Sequence, residues 1–273
     1  MLCRVMEVSK STYYAWTKIP KLTHKAIENE KLNSKTVQLF KENKFVFGSR
    51  RLSYELKKAG YDVGRYQTRT LMKKLALQVR YPKKFKVTTD SNHKESISPN
   101  ILDRNFDAKA PNQVWTTDIT YVWTLEGWVY VAIVMDLFSR QIVGWAIEDH
   151  MRTSLCSQAL NMAFWRRKPP PGLIHHSDRG SQYASDAYRK QLKIFKMTQS
   201  MSRKGNCWDN SQTERFFRSL KHEQLNYEKF RSKNAAKLSV IDYLAFYNGK
   251  RSHSKLGYKS PLTFEQAFYR NMA

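Results

Sequence analysis

Three carboxylates stand where the sequence predicts regular structure, and together they could hold metal. Asp118 lies inside a predicted strand, where propensity disfavours aspartate. Asp178 ends another predicted strand in HHSDRG, and Glu214 lies on a helix predicted to begin near Trp208. Burying a carboxylate without a partner is costly, so a cation is the expected companion.

Each of the three acids also has an ordinary interpretation. Asp118 could lie exposed on the polar face of its strand, and Asp178 could be a common turn residue. Glu214 could be a solvated helical glutamate, the most frequent fate of that residue type. Arg218 and Lys221 follow Glu214, and a helix of about 3.6 residues per turn places all three on one face. That clustering favours a chemical role.

Two or three carboxylates from separate elements can hold two Mg²⁺ ions, which are hard cations that prefer oxygen ligands. Such a pair could activate a nucleophile and stabilise the leaving 3′ oxygen of a phosphodiester. Cations beside the pair could bind the flanking phosphates. We therefore expect Asp118, Asp178 and Glu214 to bind metal, and Arg218 or Lys221 to contact the phosphates of a nucleic acid.

The charge of the chain favours a polyanionic partner. Lys and Arg number 48 against 23 Asp and Glu, so the net charge is +25 and the pI is near 10.0. Basic residues exceed acidic residues in both halves of the chain, so no single tail explains the excess. Neutralising phosphates would supply affinity through counterion release. A merely basic surface is the less favoured alternative, and charge alone does not distinguish DNA from RNA.

Residues 1–80 predict a helical, helix-turn-helix-like region. One short helix, RRLSYELKKAG, could end at Gly60, and a second begins after the turn at 62–64. Two short helices joined by a glycine-containing turn suit DNA binding, although many such pairs only pack. We expect Arg65 and Arg69, on the second helix, to contact DNA. Residues 81–110 are polar and basic and predict a linker.

Residues 111–273 predict an α/β domain of the RNase H-like kind, a mixed sheet with flanking helices. QVWTTDITYVW, WVYVAIVMD and RQIVGWAIE read as three consecutive antiparallel strands. A helix with Thr153 as its N-cap follows, then the strand GLIHHSD and a helix from near Tyr183. A strand near 197–200, the helix that carries Glu214, a C-terminal helix ending near 248–249 and a basic tail complete the pattern.

Several other residues could compete for a functional role. Asp136, after the second strand, is the strongest rival carboxylate, and we interpret it as a turn or support residue. His175 and His176 are adjacent, so a strand points them to opposite faces and at most one can face the metals. We expect six tryptophans to be core residues and not a base-stacking platform. They are Trp115, Trp123, Trp128, Trp145, Trp165 and Trp208.

The cysteines and the N-terminal sequence exclude other protein classes. The three cysteines are far apart and form no CxxC pair, so neither a disulfide framework nor a structural zinc site is expected. Arg4 and Glu7 interrupt any apolar segment at the start, which disfavours a signal peptide. No apolar run is long enough to span a membrane. A cytoplasmic protein without a membrane partner is expected, or a nuclear one if the host has a nucleus.

Five stretches carry a family resemblance: WTTDITYV, MDLFSRQIVGW, HHSDRGSQY, RKGNCWDNSQTERFFRSLKHE and YNGKRSHSKLGYKSP. With them the chain resembles the second-frame (OrfB-type) transposase of the bacterial insertion-sequence-3 family, which is similar in its core to retroviral integrases. FGSRRLSYELKKAGY and TRTLMKKLAL resemble the helix-turn-helix region of that family. The resemblance covers nearly the whole chain.

The resemblance implies a DDE catalytic triad on Asp118, Asp178 and Glu214, with Lys221 matching the basic residue after the glutamate. It also implies two Mg²⁺ or Mn²⁺ ions and cleavage and joining of double-stranded DNA, both element ends and target. We further expect Arg179 to contact DNA, the chain to form a homo-oligomer on DNA, and the protein to act at the bacterial nucleoid. Because the chain starts like the second frame, its partner is expected to be the upstream first-frame product, made as a frameshift fusion.

Two alternatives remain open on the sequence. The chain could be a DNA-binding regulator with a vestigial triad, or an RNase H-like nuclease that only hydrolyses. All three carboxylates stand at workable spacing, which disfavours the first. A metal-dependent nicking assay on a DNA end distinguishes an enzyme from a regulator.

Overall fold

The computed structural model describes residues 9–17, 24–80, 96–204 and 206–272. The chain divides into two compact units, Met1–Val79 and Arg80–Ala273. Each helix in the described part of the chain is too short or too polar to cross a lipid bilayer.

The first unit contains the predicted pair of short helices. The first helix of the pair ends at the turn, as the sequence predicts. Gly60 adopts φ +89° there, a left-handed backbone conformation that glycine reaches without the steric cost of a Cβ atom. The Ser53 hydroxyl donates to the Val63 carbonyl at 2.8 Å and ties the turn to that helix. The helices described in this unit are α1 (Lys10–Thr17), α2 (His24–Glu42), α3 (Ser49–Lys58) and α4 (Arg65–Lys74).

The second unit is built on a five-stranded mixed sheet in the order β3-β2-β1-β4-β5. The first three strands form the predicted antiparallel meander, and β4 and β5 add to β1 in parallel. This arrangement confirms the RNase H-like prediction. The strands are β1 (Val114–Thr124), β2 (Gly127–Asp136), β3 (Ile142–Glu148), β4 (Ile174–Ser177) and β5 (Thr198–Met201).

Helices cover this sheet. Gly144 on β3 lets the first of them approach closely, because a Cβ at that position would lie 2.2 Å from the Ala159 carbonyl oxygen. The helices described in this unit are α5 (Thr153–Arg167), α6 (Ser181–Ala184), α7 (Asp186–Ile194), α8 (Ser211–Glu223), α9 (Lys233–Gly249) and α10 (Pro261–Arg270). Single 3₁₀ turns lie at Cys207–Asn210, Leu225–Tyr227 and Ser254–Leu256.

Three local details differ from the sequence prediction. Arg152, and not Thr153, occupies the N-cap position of α5. The helix predicted from near Tyr183 is divided into α6 and α7 at Ser185, whose hydroxyl accepts from the Tyr188 N–H and caps α7. Helix α10 was not predicted, although Ser260 caps it and proline stands at its start, a combination typical of helix N-termini.

The predicted linker 81–110 is only partly a free connection. Residues 81–95 lie outside the described residues. Residues 96–110 contain no helix or strand in the structure, but Leu102 is only 3% exposed. The backbone N–H groups of Ile101 and Leu102 donate to the Ser200 hydroxyl at 2.9 and 3.1 Å. This part of the segment is held against β5 because its apolar side chains find core contacts.

Strand β1 has a paired part and an open part. Strand β4 pairs with β1 only from Val114 to Thr116, whereas β2 pairs with β1 as far as Thr124. In the described sheet, one edge of β1 is therefore open beyond Thr116. Asp118 lies two residues into this open part, beside the loop that follows β4.

Candidate active site

Asp118 is partly buried at the open edge of β1. Its Oδ1 accepts from the Ile119 N–H at 2.8 Å. Burial raises its pKa well above the usual range, and the negative charges of Asp178 and Glu214 raise that pKa further, against the opposing charge of Lys221. A carboxylate with a raised pKa is one whose ionised form the protein alone stabilises poorly.

Asp178 follows the last residue of β4, where the strand turns into α6. The Gly180 N–H donates to Asp178 Oδ1 at 3.0 Å. A Cβ at position 180 would stand 3.1 Å from that same oxygen, closer than an ordinary contact, so glycine lets the turn fold back onto the carboxylate. The short strand and the tight turn thus place Asp178 next to the open edge of β1.

Glu214 lies in the first turn of α8 and is partly buried. A helix N-terminus favours negative charge there. Burial nevertheless raises the pKa of Glu214, Asp178 raises it further, and Arg218 opposes the shift.

The three acids are electrostatically coupled. Asp178 raises the pKa of both Asp118 and Glu214, and Glu214 raises that of Asp118, so the fold brings all three into one region. Their ligand atoms do not all lie within 4.8 Å of one another, since among the described residues only Glu148, Asp149 and His150 form such a group of three. A Mg²⁺ ion is usually held by one or two carboxylates and keeps several waters, so a metal site does not require all three acids to contact one ion.

The cations on α8 lie where the helical spacing predicts. Lys221 Nζ stands 4.8 Å from the centre of the Tyr121 ring on β1. Burial lowers the pKa of Lys221, whereas the charge of Asp118 opposes that shift. Arg218 is exposed, and its positive charge opposes the rise in the pKa of Glu214. The helix therefore presents positive charge beside two of the three carboxylates.

The remaining predicted DNA contacts lie in both units. Arg179 is partly buried, and its Nε donates to the Ser202 carbonyl at 2.7 Å. Arg65 lines a cavity of 310 Å³ in the first unit together with Arg50 and Arg51. Arg69 is exposed on α4.

The rival carboxylate Asp136 is fully buried and committed to the scaffold. It accepts from the backbone N–H of Asn112 at 2.7 Å, from that of Phe138 at 2.9 Å and from Trp115 Nε1 at 3.3 Å. Arg167 forms an ion pair with it at 3.5 Å. These contacts agree with the support role that we predicted for Asp136.

The two adjacent histidines point in different directions, as the strand requires, and both are held inside the fold. His175 Nε2 lies 3.2 Å from the Tyr188 hydroxyl, and His176 lies 2.9 and 3.2 Å from the hydroxyls of Ser200 and Ser202. Burial lowers the pKa of His175 to about 3 and that of His176 to about 4. Both side chains are therefore neutral structural groups near pH 7.

The chain matches known protein families and curated proteins along most of its length. An integrase core domain family matches residues 108–207, a second integrase core domain family matches 195–261, and an HTH-like domain family matches 28–85. The uncharacterized 31 kDa protein of insertion element IS600 from Shigella sonnei is 40% identical, with 100% of both chains covered. The transposase InsF of insertion sequence IS3A from Escherichia coli K12 is 38% identical over 97% of this chain and 92% of its own.

The chain belongs to the IS3 family of transposases. Its fold is also similar to that of a solved simian T-cell lymphotropic virus intasome, captured with the PP2A regulatory subunit B56 gamma. That match covers 84% of this chain and 74% of the viral chain, at 14% identity and a TM-score of 0.52. The family assignment agrees with the RNase H-like sheet and the helix-turn-helix-like first unit.

In this IS3-family chain, the sequence analysis did not single out the buried acid Asp209. Asp209 accepts from Arg203 Nε at 3.0 Å, Arg104 Nε at 2.8 Å and Asn100 Nδ2 at 3.1 Å. The Arg203 hydrogen bond is the largest cause that holds the pKa of Asp209 well below its usual range. Asp209 lies inside one of the motifs of the resemblance, but nothing local to it signals partners about a hundred residues away.

The prediction that the tryptophans are core residues was wrong for most of them. Trp115 is fully buried, whereas Trp123, Trp128, Trp165 and Trp208 are exposed, Trp208 by 70%.

Proposed function

We propose that this chain cleaves DNA ends and joins them to target DNA, with divalent metal held by Asp118, Asp178 and Glu214. The observation that carries the proposal is the mutual repulsion of three carboxylates at the open edge of β1. Within the described residues, neither Asp118 nor Glu214 has a basic side chain within 4.0 Å. Asp118 and Glu214 repel each other, and a divalent cation bound between them would stabilise both charges.

The side chains of this chain prepare the reaction in distinct ways. Mg²⁺ or Mn²⁺, when bound, supplies Lewis acidity and lowers the pKa of a bound water or hydroxyl. The three carboxylates bind and fix that charge, and Gly180 keeps the Asp178 carboxylate in place through its N–H. Lys221 and Arg218 stand on the same helix as Glu214 and neutralise the phosphates that flank the scissile bond.

DNA is the substrate, both as element ends and as target. A net charge of +25 supports binding to phosphates along both units. Arg65 and Arg69 contact the duplex from the helix-turn-helix-like unit, and Arg179 contacts it near Asp178. The exposure of Arg65 and Arg69 on α4 supports these assignments.

The finer parts of the proposal concern the metal count and the assembly. Two ions suit a triad whose ligand atoms spread beyond 4.8 Å. A homo-oligomer on DNA is proposed by analogy with the viral intasome that shares the fold. The upstream first-frame product, joined as a frameshift fusion, is the proposed protein partner, and the bacterial cytoplasm at the nucleoid is the proposed place of action.

The test is a Glu214→Gln variant in a strand-joining assay. Labelled linear DNA carrying the element end, read from the inverted repeats that flank the gene, is incubated with the full chain and Mg²⁺. Losing one metal-binding charge at constant volume is expected to reduce cleavage and joining on the order of 10³-fold. The DNA affinity and the unfolding temperature are expected to stay near those of the wild type. Glu228→Gln, at an exposed residue beyond α8, is the matched control and should retain full activity.

The same assay distinguishes the alternatives. Cleavage without joining would identify a nuclease that only hydrolyses. DNA binding without either reaction, by the wild type with Mg²⁺ or Mn²⁺ and also when it is joined to the first-frame product, would identify a regulator. Unchanged cleavage by Glu214→Gln would refute the metal role of Glu214.

A further inference from the structure

A buried set of hydrogen bonds joins the start of α8 to β1. The Thr213 hydroxyl lies 2.8 Å from the Thr116 hydroxyl and donates to Asn210 Oδ1 at 2.9 Å. The Asn210 Nδ2 donates to the Thr117 carbonyl at 3.2 Å. Thr116, Thr117, Asn210 and Thr213 are each at most 3% exposed.

These hydrogen bonds lie next to two of the three acids. Thr213 directly precedes Glu214, and Thr117 directly precedes Asp118. Thr116 and Asp118 are two residues apart on one strand and so share a face of the sheet. Two bonds of the set, Thr213 to Thr116 and Asn210 to the Thr117 carbonyl, therefore connect the immediate neighbourhood of Glu214 to that of Asp118.

Asn210 is used in an unusual way for its position. It is the N-cap residue of α8, yet its side chain makes no capping hydrogen bond to the helix backbone. An N-cap asparagine usually accepts from the N–H of the second or third helical residue. Here both ends of the amide are used elsewhere, the oxygen by the Thr213 hydroxyl and the nitrogen by the carbonyl of β1.

We propose that Thr116, Asn210 and Thr213 form a clamp that sets the separation of Asp118 and Glu214 and thereby the affinity for metal. The inference rests on the proposed metal role of the triad. Asp118 and Glu214 repel each other, so the first turn of α8, which carries Glu214, would move away from β1 if nothing opposed that repulsion. The clamp opposes it and keeps the carboxylates in place before metal binds. Its members are positioning residues, since they act through the two acids.

The expected size of the effect follows from how sensitive such sites are to geometry. Loss of a group that orients metal ligands typically weakens metal binding by about 10- to 100-fold. A displacement near 1 Å can lower the rate of a reaction by about 10²-fold. Removing the Thr213 hydroxyl also leaves the buried Asn210 oxygen without its donor.

The test compares Thr213→Val, which deletes the hydroxyl at similar shape, with Thr213→Ser, which retains it. Mn²⁺ binding to the full chain is measured by electron paramagnetic resonance, alongside the rate of strand joining and the unfolding temperature. Thr213→Val is expected to bind Mn²⁺ about 10- to 100-fold more weakly, and Thr213→Ser to recover most of the affinity.

Thr124→Val is the matched structural control. Thr124 is buried on the same strand and donates to the Gly127 carbonyl at 2.7 Å, but at the hairpin end, away from Asp118. Its loss should lower the unfolding temperature about as much as Thr213→Val does, without changing Mn²⁺ affinity. If the two variants weaken Mn²⁺ binding equally, the effect is general destabilisation and the clamp is overturned.

Glu214→Gln separates this inference from the proposed function. If the wild type binds Mn²⁺ no more tightly than Glu214→Gln, the metal site itself fails. If the wild type binds Mn²⁺ more tightly than Glu214→Gln does, and Thr213→Val binds Mn²⁺ as tightly as the wild type, the metal site stands and the clamp is wrong. Should Thr213→Val fail to fold, Thr116→Val removes the other hydroxyl of the same bond and is judged by the same comparison.

Discussion

Buried acids occur in two contrasting settings in the second unit. Glu223 accepts from Arg251 at 2.7 and 2.6 Å and from the Tyr243 hydroxyl at 2.7 Å. Asp209 is likewise surrounded by donors from Arg203, Arg104 and Asn100. These acids have their charge compensated within the protein.

Asp118 and Glu214 have the opposite character. Their pKa values are raised by burial and by neighbouring acids, and within the described residues no basic group lies within 4.0 Å of either. The chain has 48 lysines and arginines against 23 acids, so cations are not scarce. The difference indicates that the arginine-paired acids serve the scaffold, whereas Asp118 and Glu214 are the acids whose charge we propose a bound cation compensates.

Removing Asp118 is expected to have the largest effect and to change activity and stability in opposite directions. Asp118→Asn should reduce strand joining on the order of 10³-fold or more. The pKa of Asp118 is higher in the folded state than in the unfolded state. Its contribution to the free energy of unfolding is therefore greatest at low pH and is lost as pH rises through the folded-state pKa. Without metal at pH 7, the variant should therefore unfold at a higher temperature than the wild type, because a neutral amide removes the repulsion from Asp178 and Glu214.

Calorimetry with and without Mg²⁺ checks this prediction. Saturating Mg²⁺ should raise the unfolding temperature of the wild type and leave Asp118→Asn nearly unchanged. A metal-free variant less stable than the wild type would mean that Asp118 is a structural acid like Asp209, and the contrast between the two settings would be lost.

Breaking the buried pair of Glu223 and Arg251 is expected to have the largest effect on stability. Arg251→Ala leaves the Glu223 carboxylate buried without its guanidinium, which typically costs about 3–5 kcal/mol. Urea unfolding at pH 7 measures the loss. Replacing both residues by methionine should cost less, because no charge is then left unpaired. A cost below about 1 kcal/mol for Arg251→Ala would contradict a structural role for this pair.

A smaller loss is expected for Asp209→Asn. Its arginine partners are partly exposed, so water can replace the lost ion pairs, and about 1–3 kcal/mol is expected at pH 7. The lowered pKa of Asp209 means that its stabilisation is present above the unfolded pKa and is lost as pH falls through the folded pKa. The difference between wild type and variant should therefore shrink toward about pH 3. A difference in unfolding free energy that grows as pH falls would contradict the lowered pKa of Asp209.

The smallest expected effect concerns Lys221. Lys221→Ala should lower strand joining by about 10-fold on two unrelated DNA ends alike, because a phosphate contact carries no base information. Lys229→Ala, at an exposed residue beyond α8, is the matched control. Wild-type rates on both ends would make Lys221 an ordinary surface lysine. Loss on one end only would mean that it reads bases.

The sequence predicted those parts of the fold that leave a local pattern. The alternation of β-branched and aromatic residues predicted β1 to β3, and an aspartate in the middle of β1 marked Asp118 as unusual. The helical spacing of Glu214, Arg218 and Lys221 placed positive charge near the acids. Each of these inferences uses neighbours within one strand or one helix.

Long-range pairing could not be predicted in the same way. The bond between Thr116 and Thr213, and that between Arg104 and Asp209, join residues about a hundred positions apart, and neither partner differs locally from an ordinary polar residue. The segment 96–110 has a linker's composition and still packs on β5. Helix α10 is different, because Ser260 and Pro261 do mark its start in the sequence.

Anomalous diffraction from crystals of the full chain with Mn²⁺ tests the central claim most directly, because it locates each ion. The proposal predicts strong peaks contacted by carboxylate oxygens of Asp118, Asp178 and Glu214, and their loss in Asp118→Asn. Peaks confined to the group formed by Glu148, Asp149 and His150, with none at the triad under saturating Mn²⁺, would contradict the proposed metal site.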